Sequence, residues 1–214
     1  MFCKRNADYC KMSDALLSLH YLPDVAWFKN YVHTGNVWLE KHENFVKSSG
    51  RNRCDIAAAN GRQTLTIPLT GGRDHHRLYT DTKISYITNW HDSHWHSIRS
   101  AYGSAPYFEF YAHIFQKFYE KQYEFLFDFN LELLKATLSV LKMKKGFALT
   151  AEYEKTPVGR TDLRSARNSQ PESAGFPRYL QVFEERNGFM PNLSILDLIF
   201  NLGPQSTGYL AKLG

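Results

Sequence analysis

Residues 89–111, NWHDSHWHSIRSAYGSAPYFEFY, constrain the fold most tightly, because they spell helix start, helix stop and helix start in succession. Thr88 or Asn89 can cap the first helix, with Asp92 close enough to join a capping arrangement. Gly103 can end it in the left-handed conformation that glycine takes cheaply. Ser104-Ala105-Pro106 opens the next helix, with proline in the first turn, where its missing N–H is no loss. At about 100° per residue, Trp90, His94, Ile98 and Ala101 fall on one side with Tyr102 beside them. Asp92, His96 and Arg99 fall opposite, so His94 is the inward histidine. An inward imidazole must find a hydrogen-bond partner or lose its charge. It is either a satisfied core group or the acid–base group of a site.

Ahead of this stretch, residues 15–19 form a short apolar run that suits a buried strand. Asp24 can cap a helix carrying Val25, Phe28 and Val32, Gly35-Asn36 breaks it, and residues 37–40 read as a second strand. Strand, helix and strand at this spacing make a βαβ unit when the strands are parallel. Residues 41–56, KHENFVKSSGRNRCDI, are dense in polar groups and sit between strands, where loops carry function. Arg51-Asn52-Arg53 concentrates the donors that hold anions. His42-Glu43 does not begin a zincin motif, because the fifth position is Val46. Asn60-Gly61 between two extended runs predicts an antiparallel hairpin, with Leu65 and Ile67 on its buried face and Pro68 near its end. Residues 71–81, with His75-His76, read as an exposed loop, and residues 83–87 as another strand.

Beyond Pro106, Tyr107, Tyr111, Ile114, Phe115 and Phe118 share one helical face. Leu131, Leu134, Leu138 and Leu141 form a further apolar row, started by Asp128 or Asn130 and ended by Gly146 after three lysines. Residues 155–178 change character: Lys155, Arg160, Arg164, Arg167 and Arg178 face only Asp162 and Glu172 amid Pro, Gly and Ser. This predicts a mobile loop at about 150–178. Residues 179–184 then read as a strand, Ser194 to Asp197 as a capping box opening a helix, and Gly203-Pro204 as its end.

The net charge of +5 suits an anionic small substrate and is too mild for a nucleic-acid binder. Cys3, Cys10 and Cys54 are odd in number and widely spaced, as for free thiols in a reducing compartment. The first residues lack an apolar signal core, and no run approaches the ~18 to 20 apolar residues of a membrane span. The expectation is a cytoplasmic, single α/β domain over residues 13–214, with a mixed β-sheet and packed helices, behind a poorly ordered leader at 1–12. Met12 is an alternative start.

The motif set resembles the WbqC-like family. The matching pieces are Tyr21-Leu22-Pro23, His42-Glu43-Asn44-Phe45-Val46-Lys47 through Arg51-Asn52-Arg53, and Thr66-Ile67-Pro68. Trp90, His94, Trp95 and Ala101-Tyr102-Gly103 follow, then Pro191 to Asp197. Many members carry His-Gln shortly before the Tyr-Leu-Pro triplet, where this chain has Leu17-Ser18 and a nearby His20. The family occurs in bacterial O-antigen and other surface-polysaccharide clusters, and a glycine transferase role has been proposed for it. The resemblance therefore implies amide formation on a nucleotide-linked or lipid-linked amino sugar, as in lipopolysaccharide biosynthesis.

An acyl or aminoacyl transferase needs a base and a stabiliser for the developing oxyanion. The expected base is His94, oriented by Glu40 or Glu43. Arg51, Asn52 and Arg53 would hold phosphate or carboxylate, with His20, Tyr21 and His42 beside them, while Trp95 and Tyr102 would stack on a sugar or base. No P-loop or dinucleotide fingerprint is present, so an already activated acyl or aminoacyl donor is implied. Two alternatives stand beside this: a non-catalytic carbohydrate- or partner-binding protein, and a metal-dependent hydrolase using His91 and His94.

Overall fold

The computed structural model describes residues 12–71, 77–165 and 175–213. The expectations for residues 1–11, for His75-His76 and for Arg167 and Glu172 lie outside them.

The chain opens with β1 (Asp14–Ser18), α1 (Val25–Val32) and β2 (Val37–Glu40), the anticipated βαβ unit. β1 and β2 are parallel, pairing Ala15 with Val37 through Ser18 with Glu40. Ala15, Leu16 and Leu17 are fully buried, which explains why β1 reads as a continuous apolar run rather than an alternating one. Next comes the antiparallel hairpin of β3 (Arg53–Ala58) and β4 (Gly61–Thr66). Ala58 pairs with Gly61, so Ala59-Asn60 form the turn and Gly61, at φ 103°, supplies the conformation that a side chain would oppose.

Three helices follow: α2 (Trp90–Tyr102), α3 (Phe108–Glu120) and α4 (Leu126–Val140). After them β5 (Ala148–Leu149) pairs in parallel with β2, and β6 (Arg160–Asp162) in parallel with β1. The parallel sheet is ordered β5-β2-β1-β6, so its strands, counted along the chain, run third, second, first, fourth. A short α5 (Glu184–Asn187), then α6 (Ile195–Leu202) and α7 (Ser206–Ala211), close the fold. The result is an α/β fold in which parallel and antiparallel pairing occupy two separate sheets.

α6 is the central pillar, packed against α1, α3, α7 and β3. Ile195, Leu196, Leu198, Ile199 and Phe200 are all fully buried, as befits a helix that is apolar nearly all round. Phe200 meets the rings of Tyr102, Phe108 and Phe115. Two of the sequence motifs meet at the N-termini of α1 and α6. Asp24 caps α1 by accepting from Trp27 N at 2.9 Å, Asn192 Oδ1 accepts from Ala26 N at 2.8 Å, and Leu193 O accepts from Val25 N at 3.1 Å. In return Pro23 O accepts from Ile195 N. Leu22 sits at φ 41°, a strained conformation for a branched side chain, held between Tyr21, whose N–H bonds Gly50 O, and this motif pair.

Several expectations are corrected. Gly103 is right-handed, at φ −58°; its lack of a side chain matters because a Cβ would lie 2.7 Å from Arg99 O. Residues 83–87 form no strand but make isolated bridges, Ile84 with Leu69 and Lys83 with Phe125, while Ile87 stands 94% exposed. Tyr79, in the stretch read as an exposed loop, is fully buried and bonds Leu19 O. The buried face of α3 is Phe108, Phe115, Phe118 and Tyr119, because Tyr107 precedes the helix and packs its ring over Gly203. α4 begins at Leu126 and stops at Val140, well before Gly146. Lys145 lies beyond it and donates instead to Tyr31 O at 2.6 Å, serving the C-terminal end of α1. Residues 179–184 form no strand, since Tyr179 and Gln181 turn their side chains onto Asp197. For the same reason Asp197 does not reciprocate the Ser194 cap. Within the segment expected to be a mobile loop, Arg160 to Asp162 form β6 and pair with β1, and residues 166–174 lie outside the described residues.

Candidate functional site

All four parallel strands end at one place. Ser18 ends β1 and Glu40 ends β2; Thr150 follows β5, and Asp162 ends β6. In open α/β sheets the crevice outside the carboxyl ends is where ligands bind, above all where the strand order reverses. Here that reversal falls between β1 and β6. A cleft of about 490 Å³ opens there, lined among others by His20, His42, Glu43, Arg51, Tyr153, Lys155, Asp162 and Arg164.

Two carboxylate–guanidinium pairs build its floor. Glu43 and Arg51 are both buried, and Arg51 grips the carboxylate with two nitrogens, Nε to Oε1 at 2.8 Å and Nη2 to Oε2. Ser18 Oγ donates to Glu43 Oε2 and accepts from Arg51 Nη2, each at 2.9 Å. Arg51 Nη1 donates to Ser49 Oγ at 3.3 Å. The second pair is Arg164 with Asp162, with Nε to Oδ1 at 2.9 Å and Nη2 to Oδ2 at 2.6 Å. Hydrogen bonds from Arg164 hold the Asp162 carboxyl below the usual range, and Asp162 raises the guanidinium in turn.

Glu40 is fully buried behind this floor. Its Oε1 accepts from His42 N at 2.8 Å and Thr150 Oγ1 at 2.7 Å, and its Oε2 from Arg164 Nη1 at 3.2 Å. It therefore ties the ends of β2, β5 and β6 together and fixes the backbone that presents His42. The His42 ring is half-buried at the cleft wall and makes no hydrogen bond to the described residues. His20 lies against Gly50, where a Cβ would come within 2.6 Å of its Nδ1. Gly50 is thus required for His20 to reach the cleft.

The expected base is elsewhere. His94 does not line the cleft; it is 6% exposed and packs among Trp90, Tyr21 and their neighbours. Its Nδ1 shares a hydrogen bond of 3.0 Å with the Tyr21 hydroxyl, which also bonds the Tyr119 hydroxyl at 2.7 Å. Burial lowers its pKa to about 4, only partly opposed by the Thr66 backbone, so the ring is neutral at pH 7. Neither Glu40 nor Glu43 bonds it. Trp95 is stacked between Phe108 and Tyr119, and Tyr102 is fully buried with its hydroxyl accepting from Ala57 N. Asn52 is buried and donates to Ile67 O, and Arg53 lines a separate small crevice with Tyr21, Asp24 and Asp55.

Thus the cleft gathers His20, His42, Glu43 and Arg51, with Glu40 behind, but leaves out His94, Tyr21, Asn52, Arg53, Trp95 and Tyr102. It adds, above Ser18 in the floor, Tyr153, Lys155, Asp162 and Arg164. The concentrated charge of residues 155–164 was the available sequence signal for the last three. Among the described residues no group of three or more His, Cys, Asp or Glu could hold a metal ion, and no helix is long and apolar enough to cross a membrane.

Fold and cleft define an α/β protein with a polar, ion-paired site at the carboxyl ends of its parallel strands. The chain belongs to the WbqC-like protein family, whose model matches residues 19–170. It is also similar to an uncharacterized protein of Mycobacterium tuberculosis, with 26% identity over 226 residues, covering 92% of this chain and 96% of that protein. No solved structure matches it.

Proposed function

We propose that this protein is an acyl or aminoacyl transferase that forms an amide on an amino-sugar intermediate of surface-polysaccharide assembly. The observation that supports it is the cleft itself: a histidine ring with no hydrogen bond to the described residues stands beside two fixed carboxylate–guanidinium pairs. His42 takes the role expected of His94. The substrate amine attacks the carbonyl of an activated donor and a C–N bond forms. His42 accepts the amine proton, and the bond to the leaving group breaks as that group takes a proton. Arg51 and Arg164 each keep one of five N–H donors beyond their protein bonds, and that donor would meet the oxyanion. The polysaccharide setting rests on the family resemblance, and the donor is an activated acyl compound.

The test is amide formation from acyl thioesters and amino sugars, followed by mass spectrometry. His42→Ala is expected to lose turnover while retaining the fold, and His94→Ala to act through stability alone. Turnover undiminished in His42→Ala overturns the assignment. The second reading, a non-catalytic carbohydrate-binding protein, is favoured by one feature: both guanidinium groups are already committed to carboxylates, as in rigid polar surfaces that hold neutral hydroxyls. Sugar binding without turnover in the wild type, unchanged in His42→Ala, would establish it.

A further inference from the structure

The charges of the cleft do not add up to an arginine anion clamp. Arg51, Arg164 and Lys155 are opposed there by Glu40, Glu43 and Asp162, so the group is neutral overall. A guanidinium carries five N–H donors. Arg51 spends four on Glu43 Oε1, Glu43 Oε2, Ser18 Oγ and Ser49 Oγ. Arg164 spends four on Asp162 Oδ1, Asp162 Oδ2, Glu40 Oε2 and Lys155 O. A phosphate approaching either would also face its bound carboxylate.

The amides at the start of α1 offer no substitute. The first βα turn, where open α/β sheets commonly hold phosphate, leads into α1, whose first N–H groups are already bonded to Leu193 O, Asn192 Oδ1 and Asp24 Oδ1. Among the described cleft residues, Lys155 is then the cation with no carboxylate within ion-pair reach. Its ammonium belongs to an exposed side chain whose backbone carbonyl is pinned by Arg164 Nη2 at 3.4 Å. Two residues earlier, Tyr153 lies over the same guanidinium, 5.1 Å from its ring centre, and is 52% exposed. A ring backed on one face by a fixed cation and open to the cleft is a stacking platform.

We infer that Tyr153 and Lys155 form a subsite for a phosphorylated ring, the ring lying on Tyr153 and the phosphate on the Lys155 ammonium. This rests on the transferase reading for its place in catalysis and adds the class of substrate: a phosphate ester borne on a nucleoside or a hexosamine. The subsite is built by the segment after β5, and Arg164 positions it without itself holding the anion.

Calorimetric titration of the full chain with UMP, uridine, glucosamine 1-phosphate and inorganic phosphate tests this. The wild type is expected to bind at least one of the two ring phosphates, and more tightly than uridine or inorganic phosphate. Lys155→Gln should weaken that binding about tenfold, roughly the loss of one charge-assisted contact, and leave uridine unchanged. Tyr153→Ala should weaken the ring phosphate but not inorganic phosphate; which of UMP or glucosamine 1-phosphate suffers identifies the ring. Both side chains are exposed, so circular dichroism should show an intact fold. No binding of either ring phosphate, or wild-type affinity in Lys155→Gln, overturns the inference. The two readings fail separately: transfer to an unphosphorylated amino sugar with no effect of Lys155→Gln removes the subsite and keeps the transferase, whereas phosphate binding without transfer does the reverse.

Discussion

His94 and His42 are the same side chain in opposite surroundings. His94 sits in a wall of rings, with Nδ1 tied to Tyr21 and its charge suppressed by burial. His42 sits at the rim of an open cleft, with its backbone fixed by Glu40 and its ring making no hydrogen bond to the described residues. Both neighbourhoods are polar. In the first, the Tyr21, Tyr119 and His94 groups satisfy one another; in the second, the ion pairs satisfy one another and leave the histidine over. Buried polar groups demand partners, so the closed network stabilises the interior, whereas a ring at a solvent-facing rim can do without one.

The contrast can be broken most severely at the cleft floor. Glu43→Ala strands the buried Arg51 charge and should lower unfolding stability by about 3–5 kcal/mol in urea titrations. Glu43→Gln, which retains an acceptor for Arg51, should cost less. A loss below about 1 kcal/mol for Glu43→Ala would show that the floor is not a buried pair in solution.

The next effect is the pH dependence of the interior. The His94 pKa falls from 6.5 to about 4, so between those values the unfolded chain takes up a proton that the folded chain refuses. Stability is then lost as pH falls through that window, by about 3 kcal/mol in full. Asp197 has the opposite sign. Burial raises its pKa from 3.8 to about 6 despite hydrogen bonds from Tyr179 and Gln181, so the folded chain takes up the proton first. Stability is gained as pH falls from 6 toward 3.8. The two nearly cancel in the wild type. Denaturation at pH 7 and pH 5 should show His94→Gln gaining stability on acidification and Asp197→Asn losing it. Identical pH responses in both variants would remove the assignment of these groups.

Tyr21→Phe should cost about 1–3 kcal/mol, because it deprives His94 and Tyr119 of a shared partner in the core. The smallest stability change belongs to His42→Ala, within about 0.5 kcal/mol, since the ring makes no bond to the described residues. If the transferase reading holds, the same substitution slows turnover by about 10²–10⁴-fold. A His42→Ala protein as unstable as Tyr21→Phe would erase the distinction between the two histidines.

Local signals were legible wherever one short stretch decides its own conformation. The run at residues 15–19 and the Asp24 cap gave the βαβ unit, and Asn60-Gly61 gave the hairpin, whose turn lies one residue earlier at Ala59-Asn60. The wheel of α2 correctly turned Trp90, His94, Ile98, Ala101 and Tyr102 inward and His96 outward. Of the cleft residues, His42, Glu43 and Arg51 were legible from the density of polar residues in one loop, while His20 belongs to the separate turn after β1. The part of the cleft at β6 was missed because that strand has three residues, is polar, and exists only by pairing with β1. No local periodicity encodes such a strand.

The amino-acid sequence by itself thus determined the helices, the hairpin and the inward direction of His94, because capping, turn chemistry and apolar spacing act over a few residues. Only the tertiary structure decided what His94 faces. Inward on a helix is a direction, and whether that direction ends in a cleft or in a wall of aromatic rings depends on elements up to a hundred residues away. The same holds for Arg164, whose charge was plain in the sequence but whose partners, Glu40 on β2 and Asp162 on β6, meet it only because four parallel strands end together.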